Sequence, residues 1–266
     1  MSTDARPIKR WLAVILGVQI GIAVILMGSD LAATLPSALA PSQAPGIADP
    51  VAPGDQTRRF SPGSLPFRAP SPGSRPMPAS QDMPSRLDFT EGEVGGQAAL
   101  TLTGTIAPGD AGRFAEWLDT RDGGPAMVFL NSPGGSVSDA LEIGRRIRAD
   151  GTDTRMTDSD ICLSACPYVL AGGVQRDVSA GAMVGGHQHF FGESIALPAF
   201  LAVEDIQRGQ GEVMGYLIEM GIDPAIMEKA LLTPPDEIYV LVPEELERFG
   251  LQSPDTAADD PAETGG

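Results

Sequence analysis

Ser164 stands in the run Cys162-Leu163-Ser164-Ala165-Cys166, just after the polar stretch Asp158-Ser159-Asp160. A serine at the start of a short helix has its hydroxyl exposed and the next amide aimed at the same point. That is the logic of a nucleophile elbow, although the G-x-S-x-G spacing is absent; an ordinary N-cap serine has the same local signature. The run Asn131-Ser132-Pro133-Gly134-Gly135-Ser136 sits between a short apolar strand and a helix. Gly134 and Gly135 let the backbone turn sharply and approach a bound group. Amides at a helix N-terminus suit a developing negative charge, and a Pro-Gly-Gly turn is also simply a turn. His187 and His189 are the only histidines. Two apart on a strand, they face the same side. One catalytic base, a structural histidine and the start of a metal pair are all open readings, with no third ligand at a telling spacing.

The elements that must carry these residues alternate between strand and helix periods. Residues 98–106 (AALTLTGTI) alternate as a half-buried strand, and 110–118 have helical spacing. Residues 126–130 (AMVFL) read as a buried parallel strand. Residues 136–149 form a helix with Val137, Ala140, Leu141, Gly144 and Ile147 on one face. Strands follow at 152–157 and 182–187, with a short apolar helix over 163–170 between them. A long helix over 200–220 and shorter ones at 224–231 and 244–249 complete the pattern. Repeated βαβ units predict the α/β class with a parallel sheet flanked by helices.

NSPGGSV, a serine opening a short apolar helix that ends in Ala171-Gly172-Gly173, an arginine, a strand ending in His187-Gln188, a long helix and the closing Pro243-Glu244-Glu245-Leu246-Glu247-Arg248-Phe249-Gly250-Leu251 follow one another in that order. Together they resemble the proteolytic subunit of Clp protease, over most of residues 98–251. The Cys-x-Ser-Ala-Cys context and the N-terminal leader are more similar to exported bacterial proteins of the same superfamily. The resemblance implies a Clp-protease/crotonase-like fold and a serine endopeptidase with a Ser-His-Asp triad. Carried over, Ser164 is the nucleophile, His187 the general base, and the Gly135 and Ala165 amides the oxyanion hole. Asp236 is the third member by its distance from His187; aligning back from Phe249 points to Glu237 instead. No metal and no cofactor are implied. Cys162 and Cys166 bracket the serine, which the cytosolic family does not need. A disulfide, two buried thiols and a nucleophilic cysteine are the readings, and the disulfide requires Cys162 to lie outside the helix.

The flanks differ from this domain. Residues 11–27 (WLAVILGVQIGIAVILM) carry no charge and follow Arg6, Lys9 and Arg10. That pattern predicts an export signal, either an uncleaved anchor with its span at about 11–27 or a cleaved leader. Residues 1–35 are assigned to this anchor. Residues 36–86 hold half of the 24 prolines and read as a disordered tether. Residues 87–251 are the globular domain and 252–266 an acidic disordered tail. The 266-residue chain has a net charge of −17, which argues against nucleic-acid binding.

The expectation is therefore a single-pass protein of a bacterial inner membrane, with its domain in the periplasm, or secreted if the leader is cut. It acts on a peptide or protein substrate, and the 200–220 helix is a candidate homo-oligomer contact. Two rivals use the same fold: a non-catalytic binder of peptides or a partner protein, and an acyl-CoA hydratase or isomerase. The Ser164/His187 pair and the scarcity of coenzyme A outside the cytoplasm argue against the latter.

Overall fold

The computed structural model describes residues 6–39, 42–62, 83–121, 123–188 and 199–254, and divides the chain into two units, Met1–Gln43 and Ala44–Gly266. The first unit is one helix, α1 (Arg6–Leu39). Within it Lys9–Ser29 has a mean hydropathy of 2.3 and none of it is buried, so it is long and apolar enough to cross a membrane.

The second unit is mixed α/β, built on two sheets. The larger has the order β2-β3-β4-β5-β7: β2 (Asp88–Val94), β3 (Gln97–Thr103), β4 (Met127–Asn131), β5 (Asp153–Met156) and β7 (Arg176–Val178). β2 and β3 form an antiparallel hairpin, and the other pairings are parallel. The smaller sheet has the order β1-β9-β8-β6: β1 (Thr57–Arg59), β9 (Glu237–Val240), β8 (Met183–Gly186) and β6 (Ile161–Leu163). β6 and β8 run parallel, while β9 is antiparallel to both β8 and β1. Ser132 joins the two sheets just past β4. Its amide donates to the carbonyl of Ile161 at 2.8 Å, and its carbonyl accepts from the amide of Leu163 at 3.1 Å.

Helices α2 (Asp110–Asp119), α3 (Val137–Ala149), α4 (Cys166–Ala171), α5 (Ala199–Glu219), α6 (Ile226–Leu232) and α7 (Pro243–Phe249) complete the unit. α3 shows why its sequence folds this way. Ser136 is its N-cap, accepting from the Asp139 amide. Arg146 and Arg148 in its last turn complement the helix dipole. Ala140, Leu141, Ile143, Gly144 and Ile147 are its buried face. A Cβ at Gly144 would lie 2.8 Å from the carbonyl oxygen of Tyr168, so only glycine lets α3 pack this close to α4. Arg148 then reaches the carbonyls at the end of α4, at 3.0 Å to Ala171 and 2.9 Å to Gly172. The Tyr216 hydroxyl on α5 donates to the Tyr168 carbonyl at 2.6 Å. These bonds satisfy end-of-helix carbonyls that would otherwise be buried unpaired. They fix α4 and with it the residues just before it.

Asp110 anchors the start of α2. Its buried carboxylate accepts from the Leu87 and Ala107 amides, and Arg86 and Arg113 pair with it at 2.8 and 2.7 Å. Burial pushes this carboxyl up, but the Leu87 amide, Arg113, Arg86 and the Ala107 amide outweigh it and hold its pKa below the ordinary value.

Two readings of the sequence change here. The tether assigned to 36–86 is not one disordered stretch: residues 36–39 continue α1, and β1 is a strand of the smaller sheet. Ile47 and Phe60 are buried, in a small cluster with Ile161, Leu163, Met183, Ile238 and Val240. Prolines exclude regular structure where they fall but leave room for a three-residue strand between them. Residues 63–82 lie outside the described residues. So do residues 255–266 of the tail; within it, Ser253 is buried, and its hydroxyl accepts from the Arg176 amide. The helix read over 163–170 is interrupted: Leu163 ends β6 and α4 starts at Cys166.

Candidate active site

Ser164 occupies the break between β6 and α4. Its φ is +59°, the only left-handed backbone among non-glycine residues described. Such a conformation costs energy for a residue with a Cβ and persists only where surrounding structure imposes it. Here the Ser164 amide donates to the carbonyl of Gly185 on β8 at 2.9 Å. The disulfide between Cys162 and Cys166 closes across the same turn. Cys162 lies on β6, outside the helix as a bridge over this spacing requires. Both cysteines are fully buried, and no free cysteine remains.

His187 follows β8 directly. β8 is paired on both sides, with β6 and with β9, so its glycines do not loosen it. The imidazole is 8% exposed. Its Nε2 lies 2.8 Å from Ser164 Oγ, and its Nδ1 lies 3.1 Å from the carbonyl oxygen of Pro235. With Nδ1–H donating to that carbonyl, Nε2 has a free lone pair for the serine hydroxyl. Burial pushes the His187 pKa down, and the Pro235 and Pro234 carbonyls pull it part of the way back; the result lies below the ordinary histidine value. The ring of Phe60 packs edge-on against the imidazole, with centroids 5.2 Å apart.

The structure does not bring Asp236 to His187. Asp236 is exposed on the turn into β9, and its backbone carbonyl accepts from the Phe60 amide at 2.9 Å. Glu237 is the first residue of β9, paired with Arg59. The partner at Nδ1 is thus a main-chain carbonyl, where the sequence pointed to a carboxylate from Asp236 or Glu237. The turn at 234–236 sets this, because it presents the Pro235 carbonyl to the ring and turns the next side chain to solvent. A carbonyl leaves no mark in residue type, so nothing in the sequence signalled it.

Gly134 and Gly135 have φ of +96° and +139°. A Cβ on Gly134 would meet Ser164 Cβ at 2.6 Å and Ala165 N at 2.8 Å, so the glycine loop lies directly on the elbow. The loop is tied to Ile106, whose amide donates to the Gly134 carbonyl at 2.8 Å and whose carbonyl accepts from Ser136 at 2.7 Å. Among the described residues, neither the Gly135 amide nor the Ala165 amide donates a hydrogen bond. Ala165 is fully buried, where an unpaired backbone donor is uncommon, whereas Gly135 is exposed.

A small cavity of about 30 Å³ opens beside Ser164, lined by Pro167, Tyr168, Leu217, Ile226, Met227 and Ala230. A larger one, about 510 Å³, lies elsewhere, between residues 47–51 and the chain around Ser179 and Leu246. The chemistry, not the volume, selects the first. Among the described residues no three His, Cys, Asp or Glu side chains gather as metal ligands, and His189 lies outside those residues. A hydroxyl on a neutral, oriented imidazole beside two unpaired amides can perform nucleophilic acyl transfer.

Comparison with known proteins finds no family model and no curated protein that matches the chain.

Proposed function

We propose that the chain is a serine endopeptidase of Clp-protease/crotonase-like fold, held in a bacterial inner membrane by α1 with its globular unit in the periplasm. The observation that carries this reading is Ser164 Oγ at 2.8 Å from His187 Nε2, on a turn held at φ +59°. His187 takes the Ser164 proton as Oγ attacks the carbonyl carbon of a peptide bond. The Gly135 and Ala165 amides receive the resulting oxyanion. The imidazolium returns its proton to the leaving amine, and water then hydrolyses the acyl-enzyme by the same route. The Pro235 carbonyl fixes the tautomer but supplies no charge to the imidazolium, so the pair works as a dyad. Apolar walls beside Ser164 suit an apolar side chain on the acyl side of the scissile bond. The disulfide supports an oxidising compartment. Val203, Met214 and Ile218 on α5 are exposed and suit self-association.

One observation favours a non-catalytic peptide binder on the same scaffold: among the described residues, no carboxylate is hydrogen-bonded to His187. Labelling of the full chain in detergent micelles with a fluorophosphonate, read by peptide mass spectrometry, separates the two. Label on Ser164 that disappears in His187→Ala supports the peptidase. A folded chain that takes no label between pH 6 and 9 overturns it. For the location, protease added to intact spheroplasts removes the globular unit; protection of that unit overturns the outward orientation.

A further inference from the structure

The segment after α1 is proline-rich, and by composition it is a spacer. The fold gives it another place. Arg58 is fully buried, with its guanidinium held by the carbonyls of Asp49, Pro50 and Thr57 and by the carboxylate of Asp55 at 3.3 Å. A buried guanidinium needs all its donors satisfied, so loop 49–58 is wound around it as a built element. Gln56 then bonds β9 twice through the backbone of Val240: its carbonyl accepts from that amide at 3.0 Å, and its side-chain amide donates to that carbonyl at 3.0 Å. The Arg59 amide closes the segment on itself by donating to the Pro45 carbonyl at 2.8 Å.

Phe60 ends this element and is 6% exposed. Its amide donates to the carbonyl of Asp236, one residue beyond the carbonyl that holds His187 Nδ1. Its ring sits against the imidazole itself, and its cluster includes Ile161 and Leu163 of β6 and Met183 of β8, the strands that lead to Ser164 and His187. One residue therefore fixes the turn that orients the histidine and walls the histidine from water. Both ring nitrogens are taken, by Ser164 and Pro235. Among the described residues, the charged side chains on the elements around the ring are Arg58 and Arg59 on β1, Glu228 and Lys229 on α6, Asp236 just before β9 and Glu237 at its start.

We propose that Phe60 is a positioning residue for His187, and that residues 44–60 are part of the construction of the site rather than a tether to it. The effect on catalysis rests on the peptidase reading above; the effect on the histidine does not. Positioning acts by excluding water, which keeps the imidazole neutral, and by holding the ring on the serine.

The test is the titration of His187 in the full chain in detergent micelles, by NMR of histidine labelled with ¹³C at Cε1. There are only two histidines, and His189→Gln assigns the signals. Phe60→Ala should raise the His187 pKa by about half a unit to one unit, toward the ordinary value, as the ring gains water. Phe60→Leu should restore much of the native value. Ile47→Ala removes apolar bulk from the same cluster, and should lower Tm while leaving the titration in place. Fluorophosphonate labelling of the same samples should slow by about tenfold in Phe60→Ala. An unchanged His187 titration in folded Phe60→Ala, or an equal shift in Ile47→Ala, overturns the proposal. A wild-type chain that takes no label, with the shift still present, overturns the peptidase reading alone.

Discussion

The carbonyl oxygen of Pro235 lies 3.1 Å from His187 Nδ1, and the other ring nitrogen lies 2.8 Å from Ser164 Oγ. The imidazole is held at both ends by neutral groups. Its tautomer is set by the backbone, which no side-chain substitution can remove.

Acid side chains near the turn should therefore matter little. Asp236→Asn and Glu237→Gln should keep fluorophosphonate labelling of Ser164 within about twofold of the parent, whereas His187→Ala should lower it by about a thousandfold. Loss in Asp236→Asn comparable to that in His187→Ala would show that a carboxylate reaches the ring during the reaction.

The lowered His187 pKa sets a pH window. The base works only when neutral, so labelling should stay high down to pH 6.5 and fall by half somewhere below it. The unfolded chain takes up the same proton near pH 6.5. Between that value and the native pKa the unfolded state binds more protons, so this group makes stability rise with pH and lowers it as pH falls. Labelling rates and urea midpoints across pH 4.5–8 check both signs. A labelling midpoint above 7 would contradict the buried, neutral ring.

The Cys162–Cys166 bridge closes a loop of five residues, for which the chain-entropy estimate is about 2 kcal/mol. Cys162→Ser/Cys166→Ser should lose about that much in urea unfolding, and dithiothreitol should do the same to the parent but not to the variant. Under non-reducing conditions the native chain should take up no iodoacetamide. Alkylation without reductant would rule the bridge out.

Gly134→Ala should damage the site and the fold together. The methyl would need a positive φ and would meet Leu163 O at 2.5 Å and Ser164 Cβ at 2.6 Å, all groups of the elbow itself. Loss of at least ~2 kcal/mol in stability and of most Ser164 labelling is expected. Gly112→Ala is the control: it has open space around it on α2 and should be neutral or stabilising. Full labelling in Gly134→Ala would separate the glycine loop from the reaction.

Residue types and their order determined a good deal. A run of 17 uncharged residues behind Arg6, Lys9 and Arg10 has few fates other than a helix able to cross a membrane, and α1 follows from it. Hydrophobic period placed β3, β4, β5, β8 and the six helices of the second unit to within a few residues, because burying one face is what those elements do. Ser164, His187 and the Gly134-Gly135 turn were legible as candidates because hydroxyl, imidazole and side-chain-free backbone are distinctive chemistry. The tertiary structure decided what has no signature along the chain. β1, β2 and β7 are short or mostly exposed edge strands, so none carries a clear period; each exists through its pairing partner. The disulfide depended on where β6 stops and α4 starts, a boundary that local propensity does not resolve. The partner of His187 is a peptide carbonyl, identical at every residue, and only the path of the 234–236 turn brings this one to the ring. Phe60 lies 127 positions before His187, in a stretch whose prolines mark it as a spacer. It meets the histidine because β1 finds β9, a contact that long-range packing creates and sequence spacing cannot show.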